Sequence, residues 1–267
     1  MNQGYKLQNT NLEFNSSVIL PNIPINSNNW GYSKSRPYSQ ISYNKRIENE
    51  ILNNLPENVF REIFPFLEEV YLKTGECIYQ PEDVINYLYF PETAIISDFQ
   101  ILEDGKTLEV AMIGKEGIVG INSVFNSHSS INWLQVSIFG KAWRIDAKTF
   151  HNQFVQNGVL QEVVFDYINS YIAQISQKVI CNSHHSVEER LCCWLLMISD
   201  RCGQTNLPLT QEQIAGFLGV HRPSVTLITQ SLREKGIINY LRGKISILDK
   251  AKLEFSACDC YSNTKII

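Results

Sequence analysis

The sequence predicts an α+β protein in which an N-terminal β-roll of jelly-roll type leads through one long helix to a C-terminal winged helix-turn-helix. Three observations carry this expectation. Between Val70 and Ile145 brief β-rich segments are punctuated by glycine, from Val159 to Ile180 apolar residues fall on two adjoining helical stripes, and from Leu209 to Leu248 two amphipathic segments precede an alternating hairpin. A chain of 267 residues with 44% hydrophobic content can bury two modest cores. The expected boundaries are a disordered tail over 1–45, the roll over 46–155, the long helix over 156–183, the winged helix-turn-helix over 184–255 and a C-terminal tail over 256–267.

Residues 1–45 hold nine Asn and seven Ser with few aliphatics, so they bury too little surface to offset the entropy of ordering. Residues 47–67 read as one or two short helices. The strand segments expected next run 71–72, 77–79, 87–90, 94–102, 108–113, 134–139 and 143–145, short and near-regular as in a barrel or jelly roll. Asp104-Gly105 is the strongest turn, read as a two-residue hairpin with positive φ at both central positions. Asp146 is the expected N-cap where the chain turns helical again. In the long helix Leu160, Val164, Tyr167 and Tyr171 form one stripe, and Ile168, Ile172, Ile175 and Val179 form the other. So wide an apolar face has to be covered on more than one side. It is either the core helix of one domain or a dimer helix with its second side on a twin subunit, and the second reading is preferred. Ser186 with Glu189 is a capping box that opens a further helix, turning Leu191, Trp194, Leu195 and Ile198 inward.

Thr210 with Gln213 is another capping box, so a helix begins near Gln211 and buries Ile214, Phe217 and Leu218. Gly219 ends it, because glycine takes the left-handed conformation a helix end needs without a Cβ clash. Arg222 and Pro223 restart the helix, proline being tolerated in a first turn where its missing N–H has no intrahelical partner. Val225, Ile228 and Leu232 supply the buried side of this second helix, while Arg222, Ser224, Thr226, Thr229, Gln230 and Arg233 are read as facing outward. Gly236 closes it, and the chain from Ile237 to Leu248 alternates around Arg242-Gly243-Lys244 like a hairpin with a basic tip. Such a helix pair also occurs in proteins that bind no DNA; the added wing and the polar outer face favour duplex DNA as its partner.

Charge agrees with that reading. Between Thr205 and Lys250 there are six Lys or Arg against three acids, whereas the whole chain carries a net −4. A local positive face on an acidic protein suits site-directed DNA binding more than general polyanion binding. No apolar run approaches the ~20 residues of a membrane span, and the polar N-terminus lacks a secretory layout, so a cytoplasmic protein without a membrane partner is expected. The odd number of cysteines, seven, fits reduced thiols. The sequence contains no Gly-rich phosphate loop, paired-histidine metal motif or Gly-x-Ser-x-Gly elbow, so no enzyme is expected. A sensory or scaffold protein whose helix-turn-helix contacts another protein is the alternative to a DNA-binding regulator.

The order of roll, long helix and winged motif resembles the Crp/Fnr regulators over roughly residues 50–255, most specifically in LTQEQIAGFLGVHRPSVTLITQSLREKGII, with support from EDGKTLEVAMIGKEGIVG. The resemblance implies a cyclic-nucleotide-binding-like roll and a homodimeric transcription factor that presents two recognition helices to a palindromic site, with RNA polymerase as a further partner. Arg222 then stands where the family places its base-reading arginine. The expected DNA-contacting set is Gln211, His221, Arg222, Ser224, Val225, Thr226, Thr229 and Lys244, of which Gln211 and Lys244 hold the backbone. Pro223 and Leu227 depart from the pattern of the cyclic-AMP-binding members, so their operator does not carry over.

Those members also resemble one another in a phosphate cassette, Gly-Glu followed by Arg-Ser or Arg-Thr. Here the corresponding residues are Gly120-Ile121-Asn122 and Ser130-Ile131-Asn132-Trp133, with no Lys or Arg between Lys115 and Lys141. A buried phosphate would lack a cationic partner, so cyclic AMP is not expected as a ligand. An iron-sulfur cluster is not expected either, Cys77 being the only cysteine before Cys181, nor is haem, although Cys77 and His128 could serve as axial ligands, since a lone Cys in a strand is more often a small buried hydrophobe. No metal site is expected. His184-His185 reads as a protonation switch or, more simply, a solvated pair, and Cys192-Cys193 as core. The effector, if one exists, stays unassigned.

Overall fold

A computed structural model describes residues 47–125 and 128–264. The segment expected to be a tail over 1–45 lies outside the described residues. Helices α1 (Glu50–Asn53) and α2 (Glu57–Ile63) come first, followed by strands β1 (Glu68–Leu72), β2 (Cys77–Tyr79), β3 (Tyr87–Pro91), β4 (Ile95–Ile101), β5 (Thr107–Ile113), β6 (Trp133–Ile138) and β7 (Gly140–Asp146). These make two antiparallel sheets, ordered β1-β7-β3 and β2-β6-β4-β5. Leu72, Ile85, Ile96, Leu134, Val136 and Ala142 fill the space between them. The expected strands are all present with ends displaced by at most three residues: β1 and β7 begin three residues earlier, where ladder pairing continues past the apolar segment, whereas β4 is one residue shorter at each end. Gly140, at the β6–β7 corner, has no alternative: a Cβ there would lie 2.2 Å from the Ala94 nitrogen.

The β4–β5 connection corrects one expectation. Leu102 N–H bonds the Lys106 carbonyl and Gly105 N–H returns to Leu102, so the loop has three residues, and of its central pair only Gly105 (φ +80°) is left-handed. That is the geometry of a longer hairpin closed by a glycine bulge. The two-residue turn with positive φ at both positions occurs instead at Arg242 (φ +49°) and Gly243 (φ +74°).

Asp146 caps α3 (Ala147–Gln156) by accepting from Thr149 N–H, and α4 (Gly158–His184) follows as the long helix. Its N-terminal half buries Leu160, Val164 and Tyr167 against α1, α2 and the outer face of the three-stranded sheet. Ser186 and Glu189 complete their capping box at the start of α5 (Val187–Cys202). Then come β8 (Asn206–Leu207), α6 (Gln211–Leu218), α7 (Arg222–Glu234), β9 (Ile238–Leu241), β10 (Lys244–Ile247), α8 (Lys250–Ser256) and α9 (Cys260–Thr264). The stretch expected as a C-terminal tail is thus partly helical, with Cys258, Cys260 and Tyr261 buried.

One continuous core joins the C-terminal domain to the roll. Trp194, Leu195, Leu218 and Leu232 share it with Ile95, Met112 and Ile138 from the outer face of the four-stranded sheet. Strand β4 is therefore apolar on both faces from Ile95 to Ile96, as expected of a strand covered on two sides. A polar knot sits in the seam: Glu109, only 1% exposed, accepts from Ser97 Oγ (2.6 Å) and Trp194 Nε1 (2.8 Å) and pairs with Lys178 (3.2 Å). Nearby, Arg201 of α5 pairs with Glu116 at 2.6 Å.

Candidate nucleic-acid interface

Helices α6 and α7 are joined at Gly219, whose φ of +65° turns the chain while Thr210 and Gln213 complete the box at the start of α6. Val225 and Leu232 of α7 lock against Ile214 and Leu218 in the shared core. Tyr240 of β9 reaches back to accept from Gln211 N–H at 3.3 Å, which fixes the wing beside the first helix.

The outer face of α7 presents His221, Arg222, Pro223, Thr226, Leu227 and Gln230. Ser224 is half-buried, and Lys244 stands exposed at the wing with Arg242. His221 makes no side-chain cap, leaving the start of α7 without a competing acceptor. Gln211 is half-buried and bonded twice to α7, donating to Thr229 Oγ1 (3.1 Å) and accepting from Thr226 Oγ1 (2.8 Å). It braces the two helices, and its side chain reaches outward less than the sequence implied.

Two members of the expected contact set are corrected. Val225 is fully buried at 0% exposure and Thr229 at 2%, so neither surface is open to a duplex. They share the inward stripe of α7 with Leu232; Thr229 is tolerated there because its hydroxyl donates back to the Val225 carbonyl at 2.8 Å. Leu227, by contrast, was not in the set and is 69% exposed in the middle of the outer face. Its signal was positional, since it adjoins Thr226 and follows Pro223 by one helical turn.

Charge on this face is also more local than the sequence count. Lys235 and Lys250 are paired with Glu188 (2.7 Å) and Asp200 (2.5 Å). Arg233, Arg242 and Lys244 have no ion pair among the described residues. Among the described residues Arg222 has only Glu212 at 3.9 Å, both side chains more than half exposed, a pairing worth at most about 1 kcal/mol and readily exchanged for a phosphate or base edge.

The roll holds a second feature, a cavity of about 70 Å³ between its strands and α4, lined by Asp98, Asn122, Ser130, Asn132, Tyr171 and Ile175 among others. Among the described residues no Lys or Arg lines it. Burial pushes the Asp98 carboxyl up to about 6, against the opposing effect of hydrogen bonds from Tyr171 and Asn132. A third cluster, absent from the sequence reading, gathers Cys181, His185, Cys258 and Cys260 at the end of α4. The pairs Cys181-x3-His185 and Cys258-x-Cys260 were its only signal.

Together the roll, the long helix and the exposed α7 face define a DNA-binding transcriptional regulator. Residues 69–157 match the cyclic nucleotide-binding domain and residues 189–255 the Crp-like helix-turn-helix domain, together more than half of the chain. The global nitrogen regulator of a Nostoc species is 23% identical over 203 residues, covering 71% of this chain and 91% of that one. The nitrogen fixation regulation protein FixK of Bradyrhizobium diazoefficiens is 22% identical over 214 residues, covering 76% and 88%. Among solved structures, a Crp/Fnr-family transcriptional regulator from Eubacterium rectale superposes with a TM-score of 0.62 at 18% identity, covering 77% of this chain and 96% of that one. The chain belongs to the Crp/Fnr family of transcriptional regulators. No helix among the described residues is long and apolar enough to cross a membrane.

Proposed function

We propose that the protein works in the cytoplasm as a homodimer that sets two α7 helices into successive major grooves of a palindromic operator, acts on RNA polymerase from there, and catalyses no reaction. The observation that carries this reading is the outer side of α4. Phe165, Ile172 and Val179 are 52%, 55% and 61% exposed, and half-buried Ile168 and Ile175 fall between them at alternating three- and four-residue steps. That is the spacing of a coiled-coil seam, which a second α4 would cover. A two-fold dimer then matches half-sites about 34 Å apart.

Arg222 is the residue placed to bond a guanine edge, worth roughly 1–3 kcal/mol of discrimination. Leu227 offers an apolar contact of the kind thymine methyl groups accept, while His221, Ser224, Thr226, Arg242 and Lys244 hold the duplex without reading it closely. Cyclic AMP is not the effector in this reading. Its anionic phosphate would meet Asp98 with no cation beside it, and about 70 Å³ is far below the several hundred Å³ of an ordinary small-molecule pocket.

Selection of bound duplexes from a random pool, followed by gel-shift titration, tests the proposal. Arg222→Ala is expected to weaken the selected site about 5- to 150-fold and relax one base position, whereas Lys244→Ala lowers affinity for all sequences and flattens the salt dependence. Ile172→Glu is expected to yield monomers by sedimentation and to abolish tight operator binding. A selective protein that is monomeric, or an Arg222→Ala variant with unchanged selectivity, would overturn the reading.

A further inference from the structure

We propose that Cys181, His185, Cys258 and Cys260 form a closed four-coordinate site for a single zinc ion that fastens the C-terminal segment to the end of the long helix. One ligand atom from each lies within 4.8 Å of all the others, drawn from the last turn of α4 and from the loop and first turn leading into α9. Two of these separations are specific: Cys181 Sγ to Cys258 Sγ is 3.6 Å, and Cys260 Sγ to His185 Nδ1 is 3.4 Å. A tetrahedron with Zn–S of about 2.3 Å and Zn–N of about 2.0–2.1 Å has edges of roughly 3.8 Å between sulfurs and 3.6 Å between sulfur and nitrogen. These two pairs already stand at nearly those edges, and the remaining separations lie within 4.8 Å. A disulfide would require about 2.05 Å, and an iron-sulfur cluster, which places several iron and sulfide atoms between its ligands, would spread the thiols further apart.

The surroundings fit a resident ion as well. His185 presents Nδ1 to the thiols and turns Nε2 toward Asp259 Oδ1 at 3.3 Å, the carboxylate–histidine arrangement that fixes the tautomer of a metal-bound imidazole. Gln177 donates from Nε2 to Cys260 Sγ at 3.0 Å, a bond that suits a thiolate. Three thiolates and one Zn²⁺ leave a net −1, and Lys178 and Arg190 line the cavity beside Cys181 and Cys260. Four protein ligands leave no open position, so the role is structural. It is a strap across the junction between the long helix and the DNA-binding domain.

The test uses the full-length protein, purified with a reductant and without chelator, and reads metal content by mass spectrometry. One zinc per chain is expected, and replacement with Co²⁺ should give intense visible bands of tetrahedral cobalt with thiolate charge transfer. Cys258→Ser and Cys260→Ser should each lose stoichiometric metal, while Cys77→Ser, on an exposed position of β2, keeps it. His185→Cys is expected to retain one ion and strengthen the charge-transfer band, which keeps the proposal testable even where a serine variant does not fold. Protein that takes up neither zinc nor cobalt, cobalt binding indifferent to Cys258→Ser, or the broad absorption of an iron-sulfur cluster would each refute it. None of these readouts involves DNA, so their outcome is separate from that of the operator experiments.

Discussion

Asp98 makes a quantitative prediction possible. Its carboxyl is 4% exposed and is pushed from the ordinary 3.8 up to about 6, chiefly by burial. Between those two values the folded protein binds a proton that the unfolded chain has released, so unfolding free energy falls as pH rises through the window. About two pH units at 1.36 kcal/mol each give a cost of about 3 kcal/mol, absent below about pH 4 and fully present above about pH 6. Asp98→Asn removes the charge while keeping the volume and an oxygen that can accept from Tyr171. The variant should therefore be more stable than the parent by up to about 3 kcal/mol near pH 8 and nearly equal to it near pH 3.5. Urea unfolding followed by tryptophan fluorescence across that range reads the difference directly, because the two proteins share every other carboxylate. A variant less stable than the parent near pH 8, or a difference that does not change with pH, would show that Asp98 is not held protonated by its surroundings.

The polar knot and the α6–α7 turn give two more expectations. Glu109→Ala should cost about 3–5 kcal/mol in denaturant melts, since it strands the Lys178 ammonium and the Trp194 N–H; Glu109→Gln, which still offers an acceptor to Trp194, should recover part of that loss. Gly219→Ala should cost more than the ~1–2 kcal/mol of a left-handed residue alone, because its Cβ would come 2.8 Å from Leu108 Cδ1. Gly75→Ala, also left-handed but with open space around it, isolates the backbone share of the thermal shift. Equal shifts for the two glycine variants would mean that Leu108 simply moves aside.

Local grammar made much of this molecule legible in advance. Both capping boxes, the glycines after α6 and α7 and the basic wing tip obey rules confined to a few neighbouring residues, and each is found where those rules put it. The errors arose where neighbours distant in sequence decide. The loop after β4 takes its length from the register of the ladder, which the Asp104-Gly105 pair does not itself encode. Thr229 reads as polar and outward, yet it stands one turn after Val225 on the inward stripe, and Gln211 from the preceding helix covers it. The thiol cluster was invisible for the plainest reason: Cys181 and Cys258 are 77 positions apart and meet only because α8 and α9 fold back over α5.

The glycine face of α6 rests on the roll hairpin, with Gly216 so close to Thr107 that a methyl group there would sit 2.7 Å from its hydroxyl oxygen. The roll and the helix-turn-helix domain are thus carved from one block. Exchanging either half for that of a relative would bring a foreign hairpin against those two glycines, and such chimaeras should misfold or lose operator control unless residues 107–109 travel with α6.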